Sequence, residues 1–208
     1  TWRYLPMSAR PELNGPNILA AGGTATDGDV IPWCGPAANV DAGRGNRVYD
    51  SIVELAPNPD NPTPMVRVSR RINSRRGLEL LLKLEALNPF GSIKDRTALS
   101  MLNGLDLEDD QVVVEPTAGN TGIALAALAN ARGRAIEIVV PDGTPEEKKA
   151  MLRFLGAELT EVEDEVCPLF PTEGARGVVK SMVESVAFEG RYVSPNQYES
   201  LLNTEAHY

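Results

Sequence analysis

Leu84–Arg96 reads L-E-A-L-N-P-F-G-S-I-K-D-R, and the rest of the chain is arranged about it. Before it, the apolar run Leu78–Leu84, interrupted by Glu79 and Lys83, predicts a strand. Asn88, Pro89, Gly91 and Ser92 then build a turn. After it, apolar residues recur at Ala98, Leu99, Met101, Leu102 and Leu105, the spacing of a helix with one buried face. Lys94 therefore falls in the first turn of a helix. The partial positive charge at that end disfavours a cation. It favours a neutral or covalently modified amine, which is what a Schiff-base lysine needs. From spacing alone, a solvated first-turn lysine that does no chemistry is the ordinary reading.

Downstream, strands and helices alternate. Gln111–Glu115 carries consecutive valines, the pattern of a strand buried on both faces of a parallel sheet. Thr117–Gly122 is a turn and Ile123–Ala131 an Ala/Leu helix, with Gly133 placed to cap it. Ile136–Val140 is the next strand. Pro145–Leu155 is a helix with Glu146 and Glu147 in its first turn and Gly156 beyond its end. Glu158–Val162 is a strand, Cys167–Glu173 a loop, Ala175–Phe188 a helix and Tyr192–Ser194 a strand. This alternation means an α/β region with a largely parallel sheet. Ligands of such sheets gather beyond the carboxyl ends of the strands. Three segments are expected there: the turn before Lys94, Thr117–Thr121 and Pro195–Gln197. Thr117–Gly122 holds two glycines, two hydroxyls and an amide just before a helix, so its N–H groups can cradle an anion. A purely structural strand-to-helix turn would look the same.

Upstream, Thr1–Arg47 is rich in Gly, Pro, Asn and Asp and reads as an extended arm with one short strand at Val30–Trp33. Trp2, Tyr4, Leu5 and Trp33 are its candidate anchors. Trp33-Cys34-Gly35-Pro36 lacks the second cysteine of a dithiol loop, because position 37 is Ala, so Cys34 reads as structural. Val48–Leu55 has helical spacing with Asp50 or Ser51 as cap, and Pro57, Pro59 and Pro62 end it. Thr63–Val68 is a short strand. The basic run Arg67, Arg70, Arg71, Arg75 and Arg76 reads as a solvated surface, with an anion site as the alternative.

The chain has 208 residues, 42 % hydrophobic and 24 % charged, enough for an ordinary domain with a sizeable core. Twenty basic against twenty-nine acidic residues give a net charge of −9, which opposes binding to nucleic acid and to anionic membranes. Cys34 and Cys167 form neither a metal-spaced pair nor a disulfide framework, so no metal site is expected. With no signal-like start and no apolar stretch of about eighteen residues, a cytoplasmic protein is expected. No glycine-rich nucleotide fingerprint follows any expected strand.

N-P-F-G-S-I-K-D-R (88–96) resembles the lysine segment of the cysteine synthase and cystathionine β-synthase family, the fold-type-II enzymes that use pyridoxal 5′-phosphate (PLP). E-P-T-A-G-N-T-G (115–122) resembles that family's T-S-G-N-T-G loop, and S-P-N-Q-Y-E-S-L-L-N-T-E-A-H-Y (194–208) its N-Q-(F/Y) to A-H-Y segment. T-P-M-V-R-V (63–68) is similar to its T-P-L-V-R-L. The motifs stand in the family's order.

The resemblance implies a tryptophan synthase β-like α/β fold of mainly parallel sheets flanked by helices. Lys94 then matches the lysine that binds PLP covalently. Asn120 matches the asparagine on the ring hydroxyl of the cofactor. Thr117, Ala118, Gly119, Asn120 and Thr121 match the loop that holds the substrate α-carboxylate, and Gln197 a further carboxylate partner. Ala118 stands where serine is usual, so a hydroxyl contact is lost while its N–H remains.

The implied reaction is β-replacement on a serine-derived amino acid by sulfide or another thiol, in a homodimer. O-acetylserine, O-phosphoserine and serine stay open as donors, the long arm and N-P-F being similar to O-phosphoserine sulfhydrylases. Cystathionine β-synthase is the nearest rival. Residues 1–47 would be an N-terminal extension and 48–208 the N-terminal part of the catalytic region. The loop for the PLP phosphate lies in a further half of the family's chain. A longer native polypeptide is therefore expected, the alternatives being a second chain that supplies the rest or a non-catalytic regulatory fragment.

Overall fold

The computed structural model describes residues 48–69, 71–73, 75–163, 172–188 and 190–208. The 1–47 extension, with Trp2, Trp33 and Cys34, lies outside the described residues, as do Cys167 and most of its loop.

Two short strands, β1 (Met65–Arg67) and β2 (Leu81–Lys83), pair antiparallel with Val66 opposite Leu82. Four more form the main sheet: β3 (Val112–Pro116), β4 (Ile136–Pro141), β5 (Glu158–Val162) and β6 (Tyr192–Val193). All its ladders are parallel and its order is β5-β4-β3-β6. Glu115 stands opposite Ile138, and β6 meets β3 through only two pairs, Val112–Tyr192 and Val113–Val193. The chain winds outward through β3, β4 and β5, then returns to the far side of β3. The direction of winding therefore reverses between β3 and β6, and the crevice beyond their carboxyl ends is where an open parallel sheet binds ligands.

Helices cover both faces. They are α1 (Lys94–Asn103), α2 (Asn120–Ala131), α3 (Glu146–Phe154), α4 (Gly174–Glu184) and α5 (Leu201–Glu205). On one face Val113, Ile136, Ile138 and Val140 pack with Ala124, Leu125 and Leu128 of α2 and Leu152 of α3. On the other, Val114 and Val139 meet Ala175 and Val179 of α4. The alternation is what a strand buried on both sides requires. Leu125 and Leu128 are fully buried, each contributing about 1.5–3 kcal/mol. α1 packs mainly on α2 and α5, in a layer outside the sheet. Gly133 (φ 68°) and Gly156 (φ 87°) adopt the left-handed conformation beyond α2 and α3, as their placement predicts. Among the described residues no helix is long and apolar enough to cross a membrane.

Four expectations need correction. The Leu78–Leu84 strand is not part of the parallel sheet: β2 pairs only with β1, in an antiparallel ribbon whose Met65 and Leu82 are exposed. Strand-then-helix order does not say which sheet a strand joins. The Val48–Leu55 helix shrinks to a 3-10 helix at Ile52–Leu55. Ser51 and Glu54 cap it reciprocally: Val53 N–H donates to Ser51 Oγ (3.2 Å) and Ser51 N–H to Glu54 Oε1 (3.0 Å). The Ala175–Phe188 helix breaks at Ser185, which is extended, and resumes as a 3-10 turn at Val186–Phe188. α2 starts at Asn120, three residues ahead of expectation, because its N-cap is Gly119, without any side-chain cap to announce it.

Candidate active site

The turn before Lys94 is held by its own polar residues. Asn88 Oδ1 accepts from Thr63 Oγ1 (2.8 Å), and its Nδ2 donates to Ser92 O (2.8 Å) and Glu85 Oε2 (2.7 Å). Gly91 turns the chain with φ 77°. Asp95, wholly buried, accepts from Phe90 N–H at 2.6 Å and from Ser92 Oγ at 3.1 Å. Ser92 Oγ in turn accepts from Lys94 N–H (3.1 Å). Arg96 Nη2 donates to Thr63 Oγ1 (2.6 Å) and bridges Glu85 (3.1 Å). Burial pushes the Asp95 carboxyl up. Burial also pushes Glu85 up, but the hydrogen bonds from Asn88 and Arg96 and the Arg96 charge outweigh it, and its net shift is down. Within N-P-F-G-S-I-K-D-R, then, Asn88, Ser92, Asp95 and Arg96 build a platform. Lys94 starts α1 half-buried and, among the described residues, in no ion pair.

The Thr117–Thr121 turn stands at the end of β3. Thr117 Oγ1 accepts from Gly119 N–H (3.3 Å), and Gly119 is extended (φ −113°, ψ −161°). No side chain caps α2, so the main-chain donors of its first turn stay available to an anion beyond the sheet. Thr121 is buried, Thr117, Ala118 and Gly119 are half-buried, and Asn120 is exposed. Gly122 lets the helix approach the turn: a Cβ there would lie 2.9 Å from Thr117 Cγ2 and 3.3 Å from both Leu152 Cδ2 and Thr117 O. Gly122→Ala is expected to destabilise the fold by about 1 kcal/mol, the overpacking cost of 1–3 kcal/mol exceeding a helix-propensity gain of about 1 kcal/mol. A thermal melt checks it; an unchanged or higher Tm contradicts the close approach.

Glu115, at the end of the buried valine run, is wholly buried. Its Oε2 accepts from Ser194 Oγ (3.1 Å) and Asn196 N–H (3.1 Å), and its Oε1 from Gln197 N–H (3.1 Å). Burial pushes its carboxyl up to about 7, against the pull of the Gln197, Ser194 and Asn196 hydrogen bonds. Gln197 Nε2 donates to Pro116 O (3.3 Å), and Asn203 Nδ2 to Gln197 O (2.6 Å).

The expected site residues thus divide into two groups. Thr117–Thr121 and Gln197 are brought together at the reversal point between β3 and β6. Lys94 comes from α1, whose apolar face shares one core with α2, and Phe90 and Ala118 pack against that same core. His207 lies within electrostatic reach of Lys94: burial, then the charges of Arg96 and Lys94, push its imidazole down. The turn before Lys94 does not lie off a strand of the parallel sheet, as was expected, because β2 belongs to the ribbon. Of the basic run, Arg67 pairs with Glu79, and Arg71 and Arg76 are exposed, while Arg70 lies outside the described residues. Sequence reasoning missed the parts played by Glu115, Asp95, Arg96, Glu85 and Thr63. The one available signal was an acidic residue closing a run of buried valines.

The family described as pyridoxal-phosphate dependent enzyme matches residues 58–208. The chain is 36 % identical over 169 residues to a cysteine synthase of Aquifex aeolicus, covering 78 % of this chain and 48 % of that one. It is 37 % identical over 164 residues to cysteine synthase B of Pseudomonas aeruginosa, covering 77 % and 50 %. Among solved structures, a cysteine synthase of Entamoeba histolytica superposes with a TM-score of 0.65 at 27 % identity, over 83 % of this chain and 50 % of that one. A hydrogen sulfide-producing enzyme of Fusobacterium nucleatum gives 0.62 at 28 % identity, over 78 % and 50 %. The chain spans about half the length of each of these four proteins.

Proposed function

The chain belongs to the pyridoxal-phosphate dependent enzyme family, and on that premise we propose that it forms part of a cysteine synthase-like enzyme. The expected family and its fold-type-II α/β architecture are borne out. The reaction proposed is replacement of the β-substituent of a serine-derived amino acid by sulfide. O-acetylserine, O-phosphoserine and serine are the candidate donors. The observation that carries this reading is the meeting of the uncapped α2 N-terminus with the Gln197 segment at the reversal point of the sheet.

The residues present fit the cofactor. A primary amine outside any described ion pair starts α1, and a second helix, packed on the first, offers main-chain donors with no side-chain cap. Lys94 would hold PLP through its amine, and Asn120 would donate to the ring hydroxyl. When bound, the cofactor supplies an electron sink for negative charge at the substrate Cα. The protein's own work is positional. Of the Thr117–Thr121 turn, the N–H groups of Ala118, Asn120 and Thr121 would hold the α-carboxylate, since Thr117 N–H donates to Val139 O and Gly119 N–H to Thr117 Oγ1, with the Gln197 amide as a further donor. Ala118 contributes only its N–H. Fixing the carboxylate aims the Cα–H bond, and the Lys94 amine, once released by the incoming substrate amine, would take that proton. Alignment of this kind lowers the barrier by removing orientational entropy before the reaction.

The proposal includes a homodimer working on small molecules in the cytoplasm. The net charge of −9 supports neither nucleic acid nor an anionic membrane as partner. The deciding experiment supplies the purified protein with PLP, O-acetylserine and sulfide and measures cysteine. Cysteine formation is expected, with no cystathionine when homocysteine replaces sulfide. Cystathionine as the main product would move the reading to cystathionine β-synthase. A colourless protein that forms neither product would favour a non-catalytic fragment.

A further inference from the structure

We propose that Glu115 is a positioning residue that joins the Thr117–Thr121 turn and the Ser194–Gln197 segment into one carboxylate-binding site. What that site holds rests on the cysteine synthase-like reading; the joint itself rests on geometry.

Local bonds shape the Ser194–Gln197 segment, among them Asn196 N–H to Ser194 Oγ (3.0 Å) and Asn203 Nδ2 to Gln197 O (2.6 Å). Its ties to β3 are the Gln197 amide on Pro116 O and the three bonds to Glu115. β6 contributes only two ladder pairs to β3, both before Ser194. Asn196 sits at φ 50°, a left-handed conformation that is uncommon outside glycine. Asparagine tolerates that state better than most residues, and Glu115 ties the turn it makes to β3 by accepting three hydrogen bonds, from Ser194 Oγ and from the N–H groups of Asn196 and Gln197. Glu115 also lies on β3 two residues before Thr117, so one side chain links the end of that strand to both loops. Its position faces Ile138 in the ladder, on the face that also carries Val113 and Ile136. An apolar side chain there would avoid burying a carboxyl but would orphan the Gln197 N–H and leave the Asn196 N–H only Ser194 Oγ (3.0 Å). Gln197 Nε2 to Pro116 O then lays the glutamine amide along the strand end, next to the α2 turn.

The test uses Glu115→Gln and the milder Ser194→Ala. In Glu115→Gln, one carboxylate oxygen becomes an amide donor facing donors. Amide hydrogen exchange at Gln197 is expected to speed up by about tenfold or more, and at Asn196, whose N–H keeps Ser194 Oγ, by less, with exchange in α3 unchanged. KM for the amino-acid substrate is expected to rise about tenfold while kcat changes less than about threefold, because binding geometry and not the proton transfer is lost. Ser194→Ala should give the same pattern at about threefold, and it decides the matter if Glu115→Gln does not fold. Unchanged exchange at Asn196 and Gln197 overturns the proposal. So does a loss spread evenly over all amides, which marks a merely structural role. Exchange needs no turnover, so the two readings fail separately. Loosened amides in a protein that makes no cysteine sink the proposed activity and leave the joint standing. Active protein with an unchanged KM in Glu115→Gln sinks the joint alone.

Discussion

Lys94→Ala is expected to abolish covalent attachment of PLP and to lower cysteine formation by roughly 10³-fold or more, the range lost when a positioned acid–base group that also anchors the reacting partner is removed. The chain has five lysines, and their surroundings separate them. Lys149 is buried but bridges Glu161 at 2.6 Å and Glu146 at 3.3 Å. Its hydrogen bond to Glu161 pushes the ammonium up, which makes it a poor nucleophile. Lys180 faces Glu184 at 3.9 Å, while Lys83 and Lys148 are exposed. Lys94 alone combines partial burial, a helix first turn and a platform of fixed hydrogen bonds beneath it. Borohydride reduction in the presence of PLP, followed by peptide mapping, checks the prediction. Wild-type label should fall on the peptide holding residue 94. Label of equal intensity in Lys94→Ala, carried by another lysine, contradicts the assignment.

The residues that were legible in the sequence are those whose signal is local. Consecutive valines announced β3, Gly133 and Gly156 announced two helix ends, and Glu158–Val162 was read with its observed bounds. The motifs about Lys94, Thr117–Thr121 and Gln197 were likewise contiguous runs. What was not legible is the wiring between runs. Thr63 reaches Asn88 across 25 residues and Arg96 across 33, while Glu115 reaches Asn196 and Gln197 across 81 and 82. No periodicity encodes such bonds, because they depend on which strands become neighbours. The early start of α2 escaped for the opposite reason. A capping side chain is the usual signal of a helix start, and here the cap is a bare glycine, which leaves the helix end open to a ligand. The feature that hid the boundary is the one on which the proposed site relies.

Arg96→Met is expected to destabilise the protein by about 2–4 kcal/mol. The guanidinium is 9 % exposed and ties Glu85 (3.1 Å) and Thr63 (2.6 Å) to the helix that carries Lys94. Breaking a buried pair by removing one partner costs about 3–5 kcal/mol. Two features reduce that figure. The Glu85 side chain keeps 21 % exposure, so water recovers part of its solvation. Among the described residues Arg96 Nε is buried without a partner, so methionine also removes an unsatisfied donor. Urea unfolding should show a lower midpoint with an unchanged slope. Adding Glu85→Gln to Arg96→Met should return about 1–2 kcal/mol, since the stranded charge goes too. The acid limb gives an independent check. The folded-state pKa of Glu85 is depressed below 4.5, so its contribution is present above that value and lost as pH falls through the depressed one. Without Arg96 the depression shrinks, and the stability of the variant should depend less on pH in that acid window. A variant that loses under 1 kcal/mol and keeps the wild-type acid dependence would mean that Asn88, not Arg96, anchors the Glu85 carboxylate and the turn in front of Lys94.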